Sequence, residues 1–180
     1  MNRTQTLGRR KQAGNALVYS LLGLVIGGIG LAVAVTQFGD GERATSVQAT
    51  IGEVNAIIGN VKENYGQYNY AGLSTAVAVS GRVIPDTLHT STTAANNKYG
   101  GAINLVDNNA AVAGTALLSY ASIPREICAK LINGTQGMAS RVQVGGVDVK
   151  ALNGQVNVTA MNAQCSASST VTVNWTVGRT

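Results

Sequence analysis

An uninterrupted apolar run, Ala16 to Val35, follows a basic, polar leader, and no other feature constrains the fold of this chain as tightly. The run carries no charge, and only Tyr19 and Ser20 dilute it. As a helix rising about 1.5 Å per residue it reaches about 30 Å, the thickness of a bilayer's hydrocarbon core. The leader, residues 1–14, holds Arg3, Arg9, Arg10 and Lys11 and no acid. That asymmetry keeps the leader cytoplasmic and sends the remainder across the membrane. Everything after Val35 is therefore expected to work outside.

The leader also explains the charge balance. The formal net charge of +5 would ordinarily raise nucleic acid as a partner. Four of the thirteen Lys and Arg residues lie in the leader, leaving nine against eight Asp and Glu. The exported part is almost neutral and has no basic stripe, so no electrostatic footprint for phosphate remains. Low charge, 12% of all residues, with abundant small and β-branched side chains, suits a surface that packs against copies of itself. It suits an ordinary exported domain equally well. Cys128 and Cys165 are the only cysteines. Outside the cell an even pair reads as a disulfide, against the alternative of two unpaired structural cysteines. No His or third Cys stands nearby in the sequence to suggest a metal site.

Gly39-Asp40-Gly41-Glu42 breaks the apolar segment from a second periodic stretch. Val47, Ile51, Val54, Ile57 or Ile58, and Val61 recur at spacings of three and four with polar residues between them. The spacing predicts an amphipathic helix within 39–64, stopped near Tyr65-Gly66. Residues 66–100 read as a loop-rich segment, with Tyr65, Tyr68 and Tyr70 clustered at its start and a Thr, Ser, Ala and Asn tract from Thr87 to Asn97. A short helix is expected over Ile123–Ile132, opened by Pro124 and Glu126. The remainder alternates with period two. Val142 and Val144 precede Gly145-Gly146, and Val147 and Val149 follow, a hairpin signal. A further strand is expected at Val156, Val158 and Ala160, and a last one at Val171, Val173, Trp175 and Val177. These pieces predict an α+β fold in which an N-terminal helix packs on an antiparallel sheet.

Laid out in this order, the chain resembles a type IV pilin. The basic leader ending in Gly14, the hydrophobic segment, its amphipathic continuation, the loop and the cysteine-bearing sheet all match that architecture. The long leader and the run from Ser122 to Ile132 resemble the type IVb branch, which includes major pilins of conjugative thin pili and enteric colonisation pili. The resemblance implies a 1–14 prepilin leader, a 15–38 transmembrane and filament-core helix, a 39–64 amphipathic helix and a 65–180 globular domain. Within the last lie a variable loop, 66–100, and a disulfide-bounded region, 128–165. It further implies that a prepilin peptidase cuts between Gly14 and Asn15 and methylates the new amino group of Asn15. The subunit would be anchored in the inner membrane, then moved by an assembly machinery, with minor pilins, into an extracellular homopolymer serving adhesion, aggregation or conjugation. No cofactor or metal is implied. One departure stands out: the glutamate usual at the fifth mature residue is replaced by Tyr19, and no acid lies between Asn15 and Gly39.

Other readings remain open at this level. Ala32-Val33-Ala34 is a signal-peptidase pattern, and cleavage after Ala34 would release a secreted binding domain or adhesin that never polymerises. An uncut anchor would give a tethered one, and a minor pilin or a pseudopilin of a secretion system shares the same layout. Enzymatic readings find little support. His89, the only histidine, sits in a polar loop and reads as an exposed bystander. The carboxylates form no pair, and no Ser stands in a nucleophile elbow. Trp175 reads as core, and the tyrosines as loop packing or a subunit contact before an adhesive patch.

Overall fold

The computed structural model describes residues 45–178. The expected leader, the 15–38 helix, and with them Gly14, Asn15 and Tyr19 lie outside the described residues. Among the described residues no helix is long and apolar enough to cross a membrane.

Helix α1 runs over 45–65. Val47, Val54, Ile57, Ile58 and Val61 are buried along one face, as the three-and-four spacing requires. Gly66 does not end it with a left-handed cap, as expected; it opens a 3-10 turn, Gly66–Tyr68. The chain reverses one step later, where Asn69 and Tyr70 adopt φ of +52° and +59°. Asn tolerates this conformation because its short side chain can bond locally.

The 66–100 segment is more ordered than its composition suggests. Helix α2, Thr75–Ser80, is capped by Ser74, whose hydroxyl accepts from the Val77 amide at 3.3 Å. Ala78, Val79, Val83, Ile84 and Leu88 reach the core, and the longest exposed run, 90–94, stands just before strand β1, Ala95–Asn96.

Two strands follow that no clear alternation announces: β2, Ala102–Asp107, and β3, Thr115–Pro124. β3 is the longest strand and lies inside the sheet. Helix α3, Arg125–Thr135, begins just after Pro124, so Ile123 belongs to β3 and pairs with Val171. β4, Arg141–Val144, and β5, Val147–Lys150, form the expected hairpin. Its Gly145 and Gly146, at φ +57° and +86°, supply the positive φ that a two-residue turn needs. The strand expected at 156–160 is instead the start of helix α4, Val158–Cys165. The Asn157 side chain accepts from the Ala160 amide at 3.0 Å and caps it, leaving Val158 at 60% exposure. The inward residues are Met161 and Cys165, four apart, which is a helical and not a strand spacing. Val156 makes only an isolated bridge to Lys150. β6, Thr170–Gly178, closes the described chain.

All pairings are antiparallel, in the order β1-β2-β3-β6-β4-β5. Ile103, Leu105, Leu118, Tyr120, Val173 and Trp175 turn inward and share one apolar core with α1, α3 and α4. The fold is α+β, with the helices on one face of the sheet. Trp175 lies at its centre: its ring meets Tyr120 edge-on at 5.8 Å and its Nε1 donates to Thr135 Oγ1 at 2.9 Å. The free edge of β2 is covered, since the Leu105 amide donates to Thr75 Oγ1 and the Asp107 amide to the Leu73 carbonyl.

A bulge shifts β3 between Tyr120 and Ile123, where Ser122 takes φ +56°. Buried Asn97 holds it: its side-chain amide donates to the Ala121 carbonyl at 2.8 Å, and its Oδ1 accepts from the Tyr99 and Gly101 amides. A Cβ on Gly101 would overlap the Ala121 carbonyl. Gly101→Ala should therefore lower unfolding free energy by about 2–3 kcal/mol. By contrast, Gly52 and Gly59 of α1 have open space around them, and Ala at either should stabilise the isolated subunit by about 0.5–1 kcal/mol. Urea titrations of the variants followed by Trp175 fluorescence check both signs.

Candidate functional site

Helix α1 presents two chemically different faces. Its apolar face is sealed by the sheet, while Thr45, Gln48, Ala49, Gly52 and Ala56 are exposed on the other. The flanks of the helix are stitched by polar contacts to each element beside it. Thr50 Oγ1 shares a hydrogen bond of 3.1 Å with Tyr99 Oη. Asn60 donates to the Val83 carbonyl at 3.1 Å, and Asn55 to the Gly134 carbonyl at 3.4 Å. Lys62 donates to the Met138 carbonyl at 2.6 Å. Lys150 reaches the same turn from β5, donating to the Gln136 and Ala139 carbonyls at 2.7 Å each. The two ammonium groups thus satisfy carbonyls left over where α3 ends. Burial, and then the charge of Lys150, push the Lys62 pKa down.

The face of the sheet away from the helices is mixed, with Val106 and Leu117 paired beside a polar row. One row crosses four strands as Asn104, Ser119, Asn174 and Gln143. Beside it Arg141 makes a bidentate pair with Asp148, at 2.6 and 2.8 Å, which holds that carboxyl below its usual range. An open cleft of about 450 Å³ lies at the C-terminal end of α1, lined by Lys62, Glu63, Gly66, Gln67, Tyr70 and Gly178.

Among the sequence-predicted site residues, the cysteines are brought together. Cys128 in α3 and Cys165 at the end of α4 form a buried disulfide with a sequence separation of 37. It ties the two helices that cover the β4–β6 half of the sheet. The tyrosine cluster divides: Tyr70 is buried, Tyr65 packs against the core, and Tyr68 is 65% exposed. His89 differs from the exposed bystander expected, because it is half-buried and its Nε2 donates to the Ile84 carbonyl at 2.8 Å. Sequence reading also missed the polar stitches of α1. Their donors, Asn55, Asn60 and Lys62, carry no signal beyond polarity, since their acceptors are backbone carbonyls far along the chain. Among the described residues no three His, Cys, Asp or Glu side chains gather as metal ligands.

Replacing Cys128 and Cys165 together by Ala should lower stability by about 4 kcal/mol in the chain-entropy account of a loop this long. Urea unfolding of the double variant beside the oxidised parent measures it.

The family model described as PilS N terminal matches residues 44–178. No curated protein sequence matches the chain. Among solved structures, the fold is similar to TcpA, a type IV pilin from Vibrio cholerae El Tor biotype. The TM-score is 0.54 at 12% identity, covering 73% of this chain and 98% of that one. It is similar also to the type IVb pilin from Salmonella typhi, with a TM-score of 0.55 at 14% identity, covering 72% and 97%. At these identities the structural likeness speaks for the fold, and the family match speaks for descent. A one-sided helix on an antiparallel sheet, a C-terminal disulfide and a family match across all described residues converge: this chain belongs to the PilS N-terminal family and is a type IV pilin of the IVb branch, a structural subunit.

Proposed function

We propose that the chain is the major subunit of a type IVb pilus, polymerising through its N-terminal helix into an extracellular filament for adhesion, aggregation or conjugative contact. The observation that carries this reading is a pilin-family domain, matched over 44–178, standing directly behind an uncharged apolar run from Ala16 to Val35. That run has the length to hold a subunit in the inner membrane before assembly. Moving it into a bundle of like segments exchanges lipid contacts for protein contacts without exposing it to water. The assembly is a heterologous contact that does not close on itself, which yields a filament.

Processing defines the chain that assembles. A prepilin peptidase cuts after Gly14, where a small residue lets the enzyme close on extended backbone, and methylates Asn15. Leaving Tyr19 in place of the usual glutamate removes a buried carboxylate and its desolvation cost, together with the registering contact it would make. The machinery below the membrane, and minor pilins at initiation, are the partners.

The test is the intact mass and N-terminal sequence of protein sheared from its native cells. A chain beginning at Asn15 with one added methyl group is expected. A chain beginning at Val35 would have lost the filament core and would contradict the proposal in favour of a secreted binding domain. Gly14→Leu should leave the leader attached and the protein in the membrane fraction, read by the same mass measurement.

A further inference from the structure

The seam between α1 and β3 contains two buried polar atoms that nothing in the fold satisfies. Glu53 projects from α1 and is half-buried; its Oε2 is shielded from solvent and receives no hydrogen bond. The Tyr120 hydroxyl, on β3, is equally shielded and equally unpartnered. The two groups sense one another, because the Glu53 charge adds to burial in opposing ionisation of Tyr120. Unpaired buried polar atoms are rare in native proteins, and two of them across one seam call for a reason.

The surroundings of Glu53 supply one. Lys98, exposed on the 97–101 loop, attracts the carboxylate from the solvent side. Tyr120 lies on the inner side, fully buried in the core. On α1 itself the preceding turn offers Thr50, already bonded to Tyr99, and the following turn offers apolar Ile57. Helix α3 approaches this stretch through Gly134, against Ile51 and Asn55. Lys98 and Tyr120 are thus the ionisable groups that compete for Glu53 among the described residues. A carboxylate only accepts hydrogen bonds, and its charge resists moving inward; a carboxylic acid is neutral and can donate.

We propose that Glu53 is a proton-operated latch on this seam: ionised, it stays toward Lys98; protonated, it turns inward and donates to the Tyr120 hydroxyl, drawing α1 onto β3. The seam then has a loose state at neutral pH and a tight one in acid. Linkage gives the sign. Burial raises the Glu53 pKa above its ordinary 4.5, with Lys98 opposing in part. A raised carboxyl pKa means that the folded state binds the proton more tightly than the unfolded chain. The stabilisation is fully present below the ordinary value and is lost as pH rises through the folded one.

The experiment uses the full chain in detergent micelles. The Glu53 carboxyl carbon is followed by NMR titration, and thermal unfolding by Trp175 fluorescence between pH 7.5 and 4. Glu53 should titrate above 4.5, and Lys98→Met should move its midpoint higher. Glu53→Gln should raise Tm at pH 7.5 and remove part of the gain in Tm on acidification. Tyr120→Phe, which keeps the ring and removes only the hydroxyl, should also lose that part. A Glu53 midpoint at or below 4.5 would overturn the latch, and so would a Tyr120→Phe variant that keeps the full acid gain.

Discussion

Burial of one face of α1 against the sheet is the contact on which the rest of the structure depends. A helix of this length is marginal in water and owes its persistence to tertiary packing. Val54, Ile57, Ile58 and Val61 are each wholly buried, and each such side chain contributes about 1.5–3 kcal/mol over remaining exposed. In return the helix covers the centre of the sheet, where β3 and β6 bring Tyr120 and Trp175 together. Remove α1 and the inner face of those strands would stand open to solvent. Remove the strands and the helix would have no reason to hold its period.

That one-sided arrangement leaves two surfaces of different character. The exposed side of α1 carries three small residues, Ala49, Gly52 and Ala56, between the longer Gln48 and Glu63. The outer face of the sheet carries a row of amides and a hydroxyl with a bidentate ion pair beside it, next to the apolar pair Val106 and Leu117. Between them the polar stitches of α1 fix its rotation, so that the apolar face cannot slide outward. The disulfide does for α3 and α4 what the stitches do for α1, holding the two short helices together where they lie on the sheet.

The helix 45–65, the 141–150 hairpin, β6 and the cysteine pair were legible because each rests on local chemistry: a period, a Gly pair, an alternation, a compartment. β2 and β3 were not. Ile103 and Leu105 alternate with Ala102 and Asn104, but the run is short, and in β3 Ala, Ser and a bulge at Ser122 break the parity. The 156–160 segment misled in the opposite direction, because two valines two apart imitate a strand while Asn157 caps a helix. A polar loop makes His89 read as exposed, because its partner, the Ile84 carbonyl, leaves no trace in side-chain composition. Of the candidate site, Cys128 and Cys165 could be read, whereas the shielded, unpartnered oxygens of Glu53 and Tyr120 became visible only in the fold.

The proposed function has this subunit packing with copies of itself through its helix. A helical reconstruction, by electron cryomicroscopy, of filaments sheared from the native cells tests it most directly. The account predicts filaments of this chain with Gln48, Ala49, Gly52 and Ala56 turned toward the filament axis and the row Asn104, Ser119, Asn174 and Gln143 facing outward. Filaments joined through that sheet face, with α1 on the outside, would contradict it.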